Sequence, residues 1–545
     1  MRRTLAFTVG ILVALLGAGL AAARSDRGAA PAPAVRAGDP VFLISGRGWG
    51  HGVGMSQWGA HGFARRGQDY RRILAHYYRG TAIGKAPVTK VRVLLAAGKP
   101  SLAIGSAAPF RVRDATGRVA RVAAGDQVLG PGLKIKRTGA KKRVALKPPL
   151  VFLPGAEPLR FARRYRGTIQ VDRVSGRLRA INVVGLEQYL YGVVPAEVPD
   201  DWLPEVLKAQ AVAARTYAVA TRKTGGAFDL YPDVRSQVYR GIDEEEDSTN
   251  AAVDETAGQV LTHGGRPIIA YFHSTSGGRT ASVVHVWPGS RPTPYLTGVD
   301  DPYDSISPHH TWGPVVTPAA RLQGVLKAPG RLLDVRTTVN GSSRVDSVVG
   351  VGSGGEASAP GGDVRRALGL RSTWFRVGVL ALPQPTRPHV FGGATRLAGT
   401  ARSVDRFGLE HRSPSGWRVV AAPKVARDGS FSVVVRPTAT ATYRLVSGLA
   451  RTTPIRLDVA PNIRLSPVTD PMELRGTVRP ALIGAAVEVQ RLSGQTWRTV
   501  GRATVVEGGT FTATMHVPTG SYRARIPSPG RGLVAGTSPT LVVSG

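Results

Sequence analysis

The 545-residue chain contains no cysteine, which excludes disulfides, thiolate metal sites and thiol nucleophiles together. It is also short of acid: 36 Asp and Glu stand against 72 Lys and Arg, a formal charge of +36. After the apolar run at its start, no stretch is long and apolar enough to cross a bilayer. Two catalytic signatures are missing as well. The nucleophile elbow requires glycine two residues either side of serine; GMSQW around Ser56 lacks the second glycine and VGSGG around Ser353 lacks the first. His51, His273, His285 and the adjacent His309 and His310 show neither HExxH nor paired-ligand spacing, so no metal and no cofactor is expected. Stability must come from packed cores, and the length allows three or four domains.

What is present begins with a compartment signal. Arg2 and Arg3 precede an apolar run over 5–20, followed by Ala21, Ala22 and Ala23. This pattern predicts a secretory signal peptide over 1–23, with no membrane span left after its cleavage. Residues 24–40 are Ala/Pro-rich and are expected to be a disordered leader. The mature protein is then expected to be secreted and extracellular, soluble or held at the cell surface without a membrane anchor. Its charge calls for a polyanionic neighbour. Export points away from nucleic acid and towards anionic wall polymers, acidic glycans or lipid heads. Arginine greatly outnumbers lysine, and Ala, Gly, Val and Pro abound. That composition suggests a GC-rich bacterial genome, so part of the charge reflects codon bias.

Four regions separate along the chain. Residues 41–83 are a Gly-rich loop and two helical patterns, with Tyr70, Ile73, Leu74 and Tyr77 at helical spacing before Gly80. Residues 89–186 read as short alternating strands with glycine turns, a β-rich subdomain. From Glu187 to about Val377 helices and strands mix. One helix, PEVLKAQAVAARTYAVATR, runs to about Arg222 behind a cap from Asp200 or Asp201, with Lys208, Arg215 and Arg222 on roughly one face. The remainder repeats itself: Gly399, Trp417, Gly429, Phe431 and Tyr443 align with Gly476, Trp497, Gly509, Phe511 and Tyr522. Two tandem all-β Ig-like sandwiches are expected over 390–460 and 461–545, after a linker at 380–389. The acidic run DEEED (243–247) is either a partner for arginines or a solvated turn.

One carboxylate stands out, Glu197 in YLYGVVPAEVPDDW (189–202). Pro195 and Pro199 stiffen its surroundings, and Val194, Val198 and Trp202 offer an apolar setting that would raise its pKa by desolvation. Glycan cleavage needs a protonated acid at the leaving oxygen. When the sugar's own hydroxyl attacks the anomeric carbon, one residue serves as acid and then base, so a single Glu suffices. Most turn glutamates are merely solvated, and on the residues alone that reading wins.

The run EQYLYGVVPAEVPDDWLPEVLKAQAVAARTYA (187–218) closely resembles the core signature of SpoIID/LytB domain proteins. So do SQVYRG (236–241), AYFHSTSGGRT (270–280), YLTGV (295–299), RRALGLRSTWFRV (365–377) and the Gly-rich GRGWGHGVGMSQWGAHGFARRGQDYRRILAHYYRGT (46–81). The resemblance covers roughly 41–377 and implies an α+β SpoIID-like catalytic domain over 41–379, with 89–186 as a β-rich insert. It implies remodelling of peptidoglycan glycan strands by a lytic transglycosylase in which Glu197 is the acid/base. The same family includes an enhancer of a wall amidase, N-acetylmuramoyl-L-alanine amidase, so a non-catalytic wall-binding role with that partner is the alternative. The matched polar residues are candidate substrate contacts: Lys208, Gln210, Arg215, Gln237, Tyr239, His273, Ser274 and Thr280, with His51, Ser56 and Gln57 from the loop. Each could equally be structural. Two departures are notable. The GHGVGMSQ segment usually lies late in the family's domain but comes first here, so 41–83 is expected to fold back beside 187–377. Some relatives bind zinc at a Cys/His cluster before the QVY motif; LYPDVRSQVY has neither residue.

Overall fold

A computed structural model describes residues 36–544; the expected signal peptide and residues 24–35 of the leader lie outside them. The described chain is rich in β-strand with few helices, of which six bear on the site. They are α1 (Gln57–Ala64), α2 (Tyr70–Tyr77), α3 (Leu186–Tyr191), α4 (Val194–Glu197), α5 (Pro204–Thr221) and α6 (Asp247–Glu255). No described helix is long and apolar enough to cross a membrane.

Helix α5 organises the centre. Thirteen of its 18 residues are buried, and an element covered all round has to be small and apolar on every face; its alanines supply that. Leu207, Ala211, Ala214 and Ala218 join the core of the β-rich subdomain. Val206, Ala209, Val212 and Ala213 join a second core built with the N-terminal segment. The expected Asp200 or Asp201 cap does not form. Pro204 is the first helical residue, the residue before a proline is driven to extended backbone, and Leu203 takes the cap position with no side-chain bond (φ −57°, ψ 142°).

The β-rich subdomain closes as a six-stranded and a four-stranded sheet, with a separate two-stranded hairpin, around Val112, Phe152, Ile169 and neighbours. Its seam to the helical part resolves the acidic run: Asp243 pairs with Arg164 (2.6 Å), Glu245 with Arg166 (2.7 Å) and Glu244 with Arg240 (2.8 Å).

Residues 41–85 do fold back beside 187–377. Strand Val41–Arg47 lies between Thr311–Pro318 and Phe375–Ala381, antiparallel to both. Met55–Ser56 pairs in parallel with Phe272–His273, and Ala82–Lys85 pairs antiparallel with Gln259–His263. Strands Arg266–Pro267 and Phe272–His273 are not continuous, because between them the Tyr271 carbonyl accepts from the Tyr78 hydroxyl (2.6 Å) and the Met55 N–H (3.1 Å).

The two C-terminal repeats are β-sandwiches, and the repeated residues have equivalent places. Gly399 pairs across strands with Phe431, and Gly476 with Phe511; a Cβ at either glycine would strike the phenylalanine ring. Tyr443 and Tyr522 point inward. The stretch 380–389, expected as a linker, is not free. Strand Phe375–Ala381 pairs onward with Thr395–Arg402, and Leu380 and Leu382 are fully buried with Val41, Leu43, Leu397 and Phe431. The first sandwich therefore shares a sheet and a core with the N-terminal strand.

Candidate active site

The site is assembled by three connections of high sequence separation. Ser56 caps α1 by accepting from the Gly59 N–H (3.1 Å) and donates to buried Asp304 (3.0 Å). Asp304 in turn accepts from the Ser276 and Gly277 N–H groups, each at 2.9 Å. The loop 48–57 is thus tied to the loop 274–280. Gln57 donates to the Glu197 carbonyl (3.2 Å) and lies 3.4 Å from the Gln210 Oε1 on α5, which fixes the single turn α4 against both helices.

Close approach of this loop depends on glycine at one position above all. Gly54 has φ +73°, and a Cβ there would lie 1.9 Å from the Tyr271 carbonyl oxygen. Gly54→Ala is expected to cost about 3 kcal/mol or more, through the left-handed backbone and the clash together. Thermal melting and limited proteolysis of the 48–57 loop check it; an unchanged melting temperature would contradict the packing described.

Glu197 ends α4 and faces a narrow cleft of about 30 Å³ lined by His51, Tyr217, Ser236, Gln237, Tyr271 and neighbouring apolar residues. Among the described residues it is the only carboxylate in that lining. Burial pushes its carboxyl up to about 8, against the Val238 N–H, which favours the ionised form. His51 shares the cleft. Its Nδ1 accepts from the Val53 N–H (3.0 Å), which assigns the ring proton to Nε2. Burial, then the nearby Arg365, lowers its pKa to about 3, so it stays neutral and cannot supply a proton as imidazolium. His273 lies behind it, ring centroids 5.5 Å apart, with Nδ1 3.2 Å from the Val53 carbonyl and Nε2 buried without a partner. It too is held neutral by burial.

Of the residues matched from sequence, Glu197, His51 and Gln237 meet in the cleft; the others do not line it. Lys208 is occupied by Glu205 (2.9 Å) and Glu255 (2.6 Å). Arg215 is wholly buried against Glu187, with Nε 2.9 Å from Oε2. Their common face was legible, but it turns to α3 and α6 rather than to ligand. Tyr239 donates to Asn182 (2.8 Å) inside the β-subdomain seam. The Thr280 hydroxyl accepts from the Val299 N–H (2.8 Å), and the Ser274 hydroxyl lies 3.2 Å from that of Thr275. Gln210, Gln57 and Ser56 are buried tethers. Even Gln237 is partly committed, accepting from the Tyr189 hydroxyl (3.2 Å) and donating to the Ala214 carbonyl (3.3 Å).

Sequence reasoning missed Tyr217 and Tyr271, which form the aromatic wall of the cleft, ring centroids 5.8 Å apart. Burial raises the pKa of both hydroxyls, leaving them as neutral donors. The signal available was a tyrosine inside a run of alanines on α5, where nothing smaller was required for packing alone.

A family described as stage II sporulation protein matches residues 174–263. The chain is 33% identical over 241 residues to stage II sporulation protein D of Bacillus amyloliquefaciens, covering 41% of this chain and 67% of that one. Its counterpart in Bacillus subtilis (strain 168) is 33% identical over 222 residues, covering 36% and 61%. The amidase enhancer of Bacillus subtilis (strain 168) is 43% identical over 116 residues, covering 21% of this chain and 15% of that protein. The chain spans from 15% to 67% of the length of these relatives. The matched stretch contains α3 to α6, the elements that hold Glu197 and Arg215, and on this likeness the chain belongs to the SpoIID/LytB family, that of stage II sporulation protein D and the amidase enhancer.

Proposed function

We propose that this is a secreted cell-wall protein that cleaves peptidoglycan glycan strands as a lytic transglycosylase, with Glu197 as its single acid/base. The observation that carries this reading is a lone carboxyl held protonated near neutral pH in a cleft with no second carboxylate. A hydrolase working by water attack or through a glycosyl ester needs two. In the proposed reaction the Glu197 carboxylic acid protonates the bridging oxygen that leaves the N-acetylmuramic anomeric carbon, and that C–O bond breaks. The sugar's C6 hydroxyl then attacks the anomeric carbon, closing a 1,6-anhydro ring, and its proton passes to the Glu197 carboxylate. The acid is restored and no water is consumed. Neutral His51, Tyr217 and Gln237 are the groups able to orient the sugar.

The test is digestion of purified, peptide-free glycan strands by wild type and Glu197→Gln, with mass analysis of the products. Anhydro-muramic ends from wild type alone support the reading. Because the acid form does the first step, cleavage should be level at acidic to neutral pH and fall through about pH 8 as Glu197 ionises. A profile that rises across that range would reverse the assignment.

The second reading, a non-catalytic adaptor that stimulates a wall amidase, is favoured by one observation: the cleft is narrow and walled by large side chains. On that reading neither protein cuts glycan, and Glu197→Gln stimulates an amidase as well as wild type does.

A further inference from the structure

The β-rich subdomain carries charge out of proportion to its size. Residues 89–186 hold 21 Lys and Arg against four Asp and Glu, and no acid falls between Asp126 and Glu157. Arginine-favouring codon usage does not explain this, because five of the chain's 12 lysines lie within residues 134–147. Lys134, Lys136, Lys141, Lys142 and Lys147 are all exposed. Among the described residues the one lysine in an ion pair is Lys208.

The geometry gathers these charges. Lys134–Ile135 pairs with Val144–Ala145 as a hairpin; Ile135 is buried, which turns Lys134 and Lys136 outward. Arg143 stiffens it by donating to the carbonyls of Val128 (2.6 Å) and Lys134 (3.3 Å). The hairpin loop is tied to the edge of the six-stranded sheet by the Thr138 N–H on the Arg121 carbonyl (3.0 Å), and its far end by the Ala115 N–H on the Lys147 carbonyl (3.0 Å). On that edge Arg111 and Arg121 stand directly opposite each other, exposed. Like charges directly opposite weaken a ladder, and among the described residues no carboxylate pairs with either arginine. A charged edge strand does discourage sheet-to-sheet aggregation. That need is met by the edge itself and leaves the five lysines beside it unexplained.

We propose that the 134–147 hairpin and the Arg111/Arg121 edge form a docking face for a linear phosphodiester polymer. Ammonium groups on flexible stems meet singly charged phosphates along a mobile chain as point charges, and the guanidinium forks of Arg111 and Arg121 match phosphate oxygens in pairs. A phosphodiester laid along the edge would also relieve the Arg111/Arg121 repulsion. This face is independent of Glu197, so it stands whether or not the chain cuts glycan.

The test uses the full-length chain and a fluorescent poly(glycerol phosphate), titrated at several salt concentrations. Two further probes are polygalacturonate and vesicles containing phosphatidylglycerol. Replacing the five hairpin lysines with glutamine should weaken poly(glycerol phosphate) binding at least tenfold and flatten its salt dependence, since fewer counterions are displaced. A control with Arg396, Arg406, Arg418, Arg427 and Arg436 changed to glutamine should bind as wild type does. Should the five-lysine variant misfold, Lys141→Glu with Lys142→Glu, confined to the loop, must give the same ordering. Equal losses in the hairpin variant and the control would reduce the effect to net charge and overturn the proposal. So would tighter binding of polygalacturonate or of the vesicles than of poly(glycerol phosphate).

Discussion

Glu197→Gln is expected to reduce strand cleavage by about 10³-fold or more while making the folded protein more stable in alkali. The first effect follows from removing the carboxylic acid of the cleft; general acid and base steps each contribute about 10²–10⁴-fold, and on the proposed reading one group performs both. The second follows from what the site imposes on the carboxyl. In the unfolded chain it titrates near its ordinary value of 4.5, and in the fold it holds its proton to about 8. Below pH 4.5 both states are protonated and the burial carries no penalty. Between 4.5 and 8 the unfolded chain releases a proton that the folded chain keeps, so stability falls as pH rises, and above 8 the full cost of a buried anion is present. Each pKa unit is about 1.4 kcal/mol, which makes the total about 5 kcal/mol. Glutamine has the same shape and no charge to bury. The variant and wild type should therefore melt together near pH 4 and diverge steadily towards pH 9, the variant higher. Curves that stay parallel across that range would show that the carboxyl is not held protonated, and the acid role would go with it.

The second large effect is expected away from the cleft. Glu187→Ala should destabilise the protein by about 3–5 kcal/mol, the usual cost of leaving one partner of a buried ion pair uncompensated, and lower its melting temperature by on the order of 10 °C. Arg215 has no exposed surface. It donates to the Glu187 carboxylate, to the Val253 carbonyl (3.0 Å) and to the Gln259 carbonyl (3.2 Å), and burial still pulls its pKa below the ordinary value. Glu187 also accepts from the Gly258 N–H (3.0 Å), so one carboxylate closes α3, α5 and the end of α6 together. Pairing Glu187→Leu with Arg215→Met should recover part of the loss, because the charge to be compensated is gone. A double variant no better than Glu187→Ala would assign the loss to the Gly258 contact instead.

That pair marks where reading the sequence stops. The seven-residue spacing of Lys208 and Arg215 put them on one helical face, and they are on one face. Spacing does not reveal what lies opposite: Glu187 is 28 residues from Arg215 and Glu255 is 47 from Lys208, separations at which only the assembled fold decides. Glu197 was legible because its restraints are local, two prolines and two valines within three residues. The docking of 41–85 was legible because its partner segments had already been recognised. The merging of the first sandwich with the body was not, since LALPQPTRPH looks like a spacer from its prolines. What decides is Leu380 and Leu382, whose apolar side chains need a core that 41–47 provides. The same limit hid the cleft's aromatic wall: Tyr217 and Tyr271 are 54 residues apart and meet only when α5 and the 266–273 segment pack.

The shared sheet has a kinetic meaning. Val41 pairs with Pro318 on one side and with Leu380 on the other, so the described strand that is made first is among the last to find its neighbours. Closing so long a loop is slow compared with forming local helices. Strand 41–47 therefore works as a clasp that shuts after the rest of 41–381 has been made. Until it does, the sheet that carries the first sandwich has a gap in its middle and the loop bearing His51 has no frame.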